Sequence, residues 1–207
     1  MMEILRLLQL ADSALPVGGM AHSFGLESLV EFGFVRPDGF ESFLRGWLAE
    51  SGALEAAFCA RACAAMEEFA MLNMRLGGRK PARESREASA AMGRRLLDLA
   101  ARAYAVEAPP DRGEVQYPCC FGYVAGALKI PAGTAAAAFL HQSLAAFISA
   151  GQRLMPLGHT HAQAILFRLK PAIGEAAGAR IDTPSFTPLI ETASMCHARL
   201  TTRLFIS

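Results

Sequence analysis

Between Ile130 and Gln152 the chain carries no formally charged residue. A stretch that long and that neutral is either a membrane span or a helix covered by protein on several sides. Pro131, Gly133, His141, Gln142, Ser143 and Ser149 interrupt it, and alanine dominates its first half, so it falls short of a spanning helix. Leu140, Leu144, Phe147, Ile148, Gly151 and Leu154 recur at three- and four-residue steps, which gathers them on one helical face. The pattern predicts a buried helix, with a second subunit among the candidates for its cover.

The same period recurs along the chain, and almost no segment alternates as a strand does. Glu3–Leu10 and Leu26–Phe32 read as short helices, the second bounded by Gly33 and Pro37. Asp38 with Glu41 has the form of a capping box, opening a helix whose stripe is Phe40, Phe43, Leu44, Trp47 and Leu48. Gly52 is expected to separate that helix from an alanine-rich one reaching Leu76, and Gly77-Gly78-Arg79-Lys80-Pro81 is the clearest break. A helix from Glu84 to Val106 stops before Pro109-Pro110, and Asp111 to Gln116 reads as a loop. Pro118 suits a first helical turn, Thr134 is the expected cap of the Leu140 helix and Pro156 its end. Thr187-Pro188 opens a last helix with the stripe Leu189, Ala193, Cys196, Leu200 and Leu204. The fold class that follows is all-α: one domain over 1–207, a bundle of roughly eight to ten helices. With 207 residues, 53% of them hydrophobic and 19% charged, the chain can bury one substantial core.

Twenty basic and nineteen acidic residues leave a net charge of +1, which provides no field to draw in nucleic acid or an anionic membrane. Glu3, Arg6 and Asp12 fall where a signal sequence would need its apolar region, so a cytoplasmic address is expected.

Leu7 to Glu27, LLQLADSALPVGGMAHSFGLE, holds an irregular loop between two helical segments. Pro16 fixes its own φ and biases Leu15 toward an extended shape, while Gly18 and Gly19 admit positive φ or a close backbone approach. His22, Ser23 and Glu27 supply polar groups just past the turn. The segment resembles the N-terminal signature of the UreF family of urease accessory proteins, which runs LLQL, a short polar link, LPVGGF and a Ser- and Gly-containing stretch ending in GLE. LHQSLAAFISAGQRLMPLGHT at Leu140–Thr160 is similar to the family's central signature, and FTPLIETASMCHARLTTRLFIS at Phe186–Ser207 to its C-terminal one. The resemblance implies an all-helical, dimerising protein that binds a UreD/UreH-type partner and recruits the nickel-inserting GTPase UreG, so that nickel reaches apo-urease. It implies no enzyme activity, no tightly bound cofactor and no membrane or nucleic-acid partner. Pro16, Val17, Gly18, Gly19, His22, Ser23, Gly25 and Glu27 are the expected partner-binding residues at one end of the chain, and His197, Arg199, Arg203, Leu204 and Phe205 at the other.

Two readings stay open for the C-terminal element, 187–207. Arg199, Arg203, Leu204 and Phe205 combine basic groups with apolar anchors, as a partner-ordered element would, whereas Leu200 and Leu204 could equally close the core. Ile206, Cys196 and Ala198 stand where the family commonly has Arg, Arg and Glu, so a rewiring of some polar partner contacts is expected.

Other residue groupings carry less chemistry. Cys59 and Cys63 are four apart on an apolar, alanine-rich helix and read as small buried hydrophobes; Cys119, Cys120 and Cys196 complete an odd set of thiols that suits no disulfide framework. His159 and His161 reach one ion if their turn is extended and point apart if it is helical, so the alternatives are a transient nickel contact and a polar helix start. The family usually has Gln at the first of these positions. His141 could bond across a helix pair. Ser13, His22, Ser23 and Glu27 include the residue types of a nucleophile, base and orienter, but no nucleophile elbow surrounds either serine. No phosphate-binding Gly-x-x-x-x-Gly-Lys-Ser/Thr is present, so unaided GTP hydrolysis is not expected. A GTPase-activating role through a donated arginine has too many candidates: Arg36, Arg45, Arg94, Arg95, Arg153, Arg199 and Arg203. A direct nickel carrier using His159 and His161 is the rival from another class.

Overall fold

The structure, a computed structural model, describes residues 1–110 and 113–206. Asp111 and Arg112, part of the expected Asp111–Gln116 loop, and Ser207 of the C-terminal element lie outside the described residues. The described residues form helices and loops, with no strand. The helices are α1 (Met2–Leu10), α2 (Leu26–Glu31), α3 (Phe40–Trp47), α4 (Ala53–Ala64), α5 (Phe69–Gly77) and α6 (Arg83–Ala103). They continue with α7 (Tyr117–Ala127), α8 (Ala132–Leu154), α9 (His159–Arg168), α10 (Lys170–Ala177) and α11 (Pro188–Cys196).

The centre of the bundle is the crossing of α4 and α7, with α8 and α6 packed around it. Two glycines make that crossing close. A Cβ on Gly122 would collide with the Cys59 carbonyl oxygen and lie 2.9 Å from the Cys59 carbonyl carbon, and one on Gly126 would lie 2.5 Å from the Cys63 oxygen. Gly122 and Gly126 are one turn apart on α7, as Cys59 and Cys63 are on α4. The two glycines thus meet the backbone of the two cysteines, and burial drives the Cys59 thiol pKa up, which keeps it un-ionised. Phe58, Phe121 and Phe139 fill the space on either side with no exposed surface beyond 1%.

The N-terminus of α7 is satisfied from outside its own sequence. The Gln116 amide donates to Asn73 Oδ1 of α5 at 2.5 Å and the Tyr117 amide to Ser89 Oγ of α6 at 2.9 Å, replacing a local cap for two of the helix's unpaired donors. Tyr117 then donates its hydroxyl to Gln142 Oε1 at 2.7 Å, and the Gln142 amide reaches the Asp12 carbonyl at 3.1 Å. This chain of bonds ties the core to the loop that follows α1.

Several boundaries differ from the sequence reading. Asp38 does not cap α3: its carboxylate accepts from the adjacent Gly39 amide, and Glu41 is held instead by Arg45 and Arg168. Gly52 does not break the chain, because Leu48–Gly52 forms a π turn that carries α3 into α4; the break falls at Ala65, where φ is −133°. Thr134 lies inside α8, whose N-cap is Pro131. The last helix stops at Cys196 and buries Ile190, Ala193 and Ser194, leaving Leu189 exposed. The Leu140 stripe is buried as expected: Leu140, Leu144, Phe147 and Ile148 are covered within this chain, where α8 packs on α4, α7, α10 and α2, and Leu154 at its end is half-buried. No helix among the described residues is long and apolar enough to cross a membrane.

Candidate partner-docking surface

The loop after α1 begins with Asp12, whose carboxylate accepts from the Ala14 amide at 2.8 Å, and tightens at Pro16, across which the Val17 amide bonds to the Leu15 carbonyl at 2.7 Å. Gly18 has φ +82°, which favours glycine, and opens the short 3₁₀ turn Gly19–Ala21. Arg95 of α6 donates to the Val17 carbonyl at 3.3 Å, and Val17 itself is buried. Beneath the loop lies a cavity of about 80 Å³, walled by Leu15, Val17, Met20, Met92 and Phe147 and reaching the Lys80–Glu55 ion pair.

Past the turn, Phe24 packs toward Phe147 with ring centroids 6.3 Å apart, and Phe147 also meets Phe43 and Trp47 at 6.1 and 5.0 Å. This aromatic cluster anchors the loop to α8 and α3. Gly25 has φ +86° and lies against α11, where a Cβ would come within 2.8 Å of the Ile190 carbonyl and of Ser194 Oγ. Glycine is needed there on both grounds.

Glu27, in the first turn of α2, is only 5% exposed. A buried carboxylate requires hydrogen-bond donors, and Glu27 has two from the far end of the chain. Its Oε2 is 2.8 Å from His197 Nε2, and its Oε1 accepts from the Leu204 amide at 2.6 Å. Arg153, in the last turn of α8, donates to the Met20 carbonyl at 3.3 Å and the Leu204 carbonyl at 3.1 Å, with its guanidinium carbon 4.2 Å from the Phe205 ring centroid. The Ile206 amide adds a bond to the Ala21 carbonyl at 2.8 Å. The two ends of the sequence therefore lie side by side.

Of the expected partner-binding residues, Pro16, Arg199, Arg203 and Leu204 are exposed, and Gly18 and Gly19 half so. Val17, His22, Ser23, Gly25, Glu27, His197 and Phe205 are buried and shape the surface from within. Burial pushes the His22 imidazole pKa below its ordinary 6.5, and the nearby Arg95 and His197 lower it further. The pairing of Glu27 with His197 carries no local sequence signal, nor does the role of Arg153. Sequence reasoning also missed three exposed apolar side chains on α11 and the segment before it: Phe186 is 81% exposed, Leu189 51% and Met195 45%.

His159 and His161 occupy the first turn of α9, where two steps turn the side chains about 200° apart, the helical alternative. His159 Nδ1 lies 2.9 Å from Gln152 Nε2. Among the described residues no group of three or more His, Cys, Asp or Glu is arranged to hold a metal ion.

The UreF family profile matches residues 35–170, the helical body between the two ends. A urease accessory protein UreF from Nostoc sp. is 36% identical, over 99% of this chain and 96% of its own length. Another from Bradyrhizobium sp. is 34% identical over 98% and 91%, and one from Paenarthrobacter aurescens 31% identical over 98% and 97%. The similarity extends through the loop and the C-terminal segment as well as the body, and the chain belongs to the UreF family of urease accessory proteins.

Proposed function

We propose that this chain is a non-enzymatic scaffold in urease maturation, which joins a UreD/UreH-type protein and then recruits and regulates the UreG GTPase that delivers nickel to apo-urease in the cytoplasm. The observation that carries this reading is the composite of loop and tail. Pro16 and Met20 are exposed on one segment, Leu204 and Ile206 on the other, and Phe186, Leu189 and Met195 on α11 and the stretch before it, and Arg199 and Arg203 are exposed as well. Large apolar groups clustered with arginines are the composition of a protein-binding surface. Regulation would come from differential affinity: a scaffold shifts the GTPase only by binding some of its states more tightly than others. Self-association would use a different surface, since α1 exposes Ile4, Leu5 and Leu8 while its Leu10 is buried.

Co-purification of the chain with UreD/UreH-type and UreG proteins tests the reading. Leu189→Asp together with Met195→Asp is expected to abolish capture of the UreD/UreH-type protein and leave the thermal transition in place, since both side chains are exposed. Undiminished capture by that double variant would contradict the assigned surface.

A further inference from the structure

The tail and the loop are held together from two opposite sides, and both holds are specific. On one side is the Glu27 carboxylate, carried by α2 and divided between His197 Nε2 and the Leu204 amide. On the other is the Arg153 guanidinium, carried by α8 and divided between a loop carbonyl, a tail carbonyl and the Phe205 ring. Leu204 is therefore bonded through both its backbone groups, the amide donating to a carboxylate and the carbonyl accepting from a guanidinium. Phe205 is 6% exposed between these holds, whereas its neighbours Leu204 and Ile206 are 52% and 69% exposed. The tail is fastened by its backbone and one ring, and its other large side chains remain free.

We infer that Glu27 and Arg153 are positioning residues forming a two-sided clasp, which fixes the C-terminal segment on the 3₁₀ turn of the loop so that a partner meets the two segments as one surface. Neither residue needs to touch the partner. Glu27 is buried, and the Arg153 donors point back at Met20 and Leu204. A tail without the clasp would have to be ordered at the moment of binding, and ordering at that moment lowers affinity. Arg153 also bonds to Met20, whose side chain walls the cavity under the loop, so release of the tail loosens that wall as well. The docking half of this inference rests on the scaffold reading above; the clasp half does not.

Hydrogen exchange on the full-length chain, followed by partner capture, tests both halves. Arg153→Ala removes the outer hold from an exposed position at a helix end, so the fold is expected to persist. Exchange at the Leu204 and Ile206 amides is expected to rise about tenfold, from loss of charge-assisted bonds, with protection in α4 and α7 unchanged. Arg153→Lys, which keeps a cation over Phe205 and one carbonyl bond, is expected to restore most of the protection, and Glu27→Gln to loosen the tail from the other side. Capture of the UreD/UreH-type protein should weaken in Arg153→Ala and recover in Arg153→Lys. Unchanged exchange in Arg153→Ala overturns the clasp. Raised exchange with undiminished capture overturns the single-surface claim and leaves the scaffold intact. Failure of the wild-type chain to capture any partner removes the scaffold reading and the docking half together, and the exchange data then decide the clasp.

Discussion

Gly122→Ala should damage the bundle at its centre, although alanine is the better helix former. The added Cβ would sit 2.9 Å from the Cys59 carbonyl carbon and 3.1 Å from the Cys63 nitrogen, with the Cys59 oxygen closer still, and all three are backbone atoms of α4 that no rotamer can move. Ordinary carbon contacts lie at about 3.5–4.0 Å, so α4 and α7 must part by roughly 1 Å at the crossing. Overpacking a dense core costs about 1–3 kcal/mol, and a gap of that width forfeits a quarter to a half of the dispersion energy along the interface. The gain in helix propensity returns only about 0.5–1 kcal/mol, leaving a net loss of up to roughly 2.5 kcal/mol. At about 2–4 °C per kcal/mol for a chain of this size, Tm should fall by up to about 10 °C in a calorimetric or circular-dichroism melt. Gly174→Ala is the control: it is exposed in α10 with nothing within 4 Å of its Cβ position, and it should raise Tm by about 1–4 °C. Equal stabilisation by both substitutions would refute the reasoning that the crossing requires glycine.

Gly25→Ala combines a φ of +86° with a Cβ 2.8 Å from the Ile190 oxygen, so it should cost about 1–2 kcal/mol in strain alone and raise exchange in the tail; a melt and an exchange profile identical to wild type would contradict the contact. The His22 and His141 pKa values are both lowered by burial, with Arg95 and then His197 adding at the first and Lys170 at the second. Because the folded pKa values lie below 6.5, the unfolded chain takes up protons first as pH falls, so stability should decline below about pH 6.5 and level off beneath the folded values. His141→Gln should make that decline shallower, as measured by Tm between pH 7.5 and 5.5 (about one unit either side of the free value), and an unchanged slope would discount the site. Leu5→Asp with Leu8→Asp should reduce self-association in sedimentation at micromolar concentration without lowering Tm, and an unaltered oligomer would exclude the α1 face.

Much of the body was legible because amphipathic helices write their period into the sequence, and the Leu140 stripe of α8 is buried as that period requires. What covers it was not, since periodicity marks a face and not its neighbour. Gly52 was misleading: it stands where the Trp47 ring presses on the helix, 3.1 Å from the Cβ position, and a local reading cannot distinguish a glycine that breaks a helix from one that admits a ring. The kink at Ala65 falls in a run of good helix formers and is bridged by the Arg61–Glu68 ion pair, a contact visible only after folding. Gly122-x-x-x-Gly126 and Cys59-x-x-x-Cys63 were both present in the sequence, yet each is uninformative without the other. At the candidate surface the loop was readable from Pro16 and Gly18, whereas Glu27 and His197 stand 170 residues apart and meet only in three dimensions.

We propose this chain as the link through which the GTPase joins the maturation complex. Size-exclusion chromatography with light scattering, on a mixture of apo-urease, a UreD/UreH-type protein and UreG with and without the chain, measures that directly. The account predicts that UreG co-elutes with the UreD/UreH-type protein and apo-urease only when the chain is present, and that the Leu189→Asp, Met195→Asp double variant fails to bring it in. Co-elution of UreG without the chain, or equal recruitment by the double variant, would contradict it.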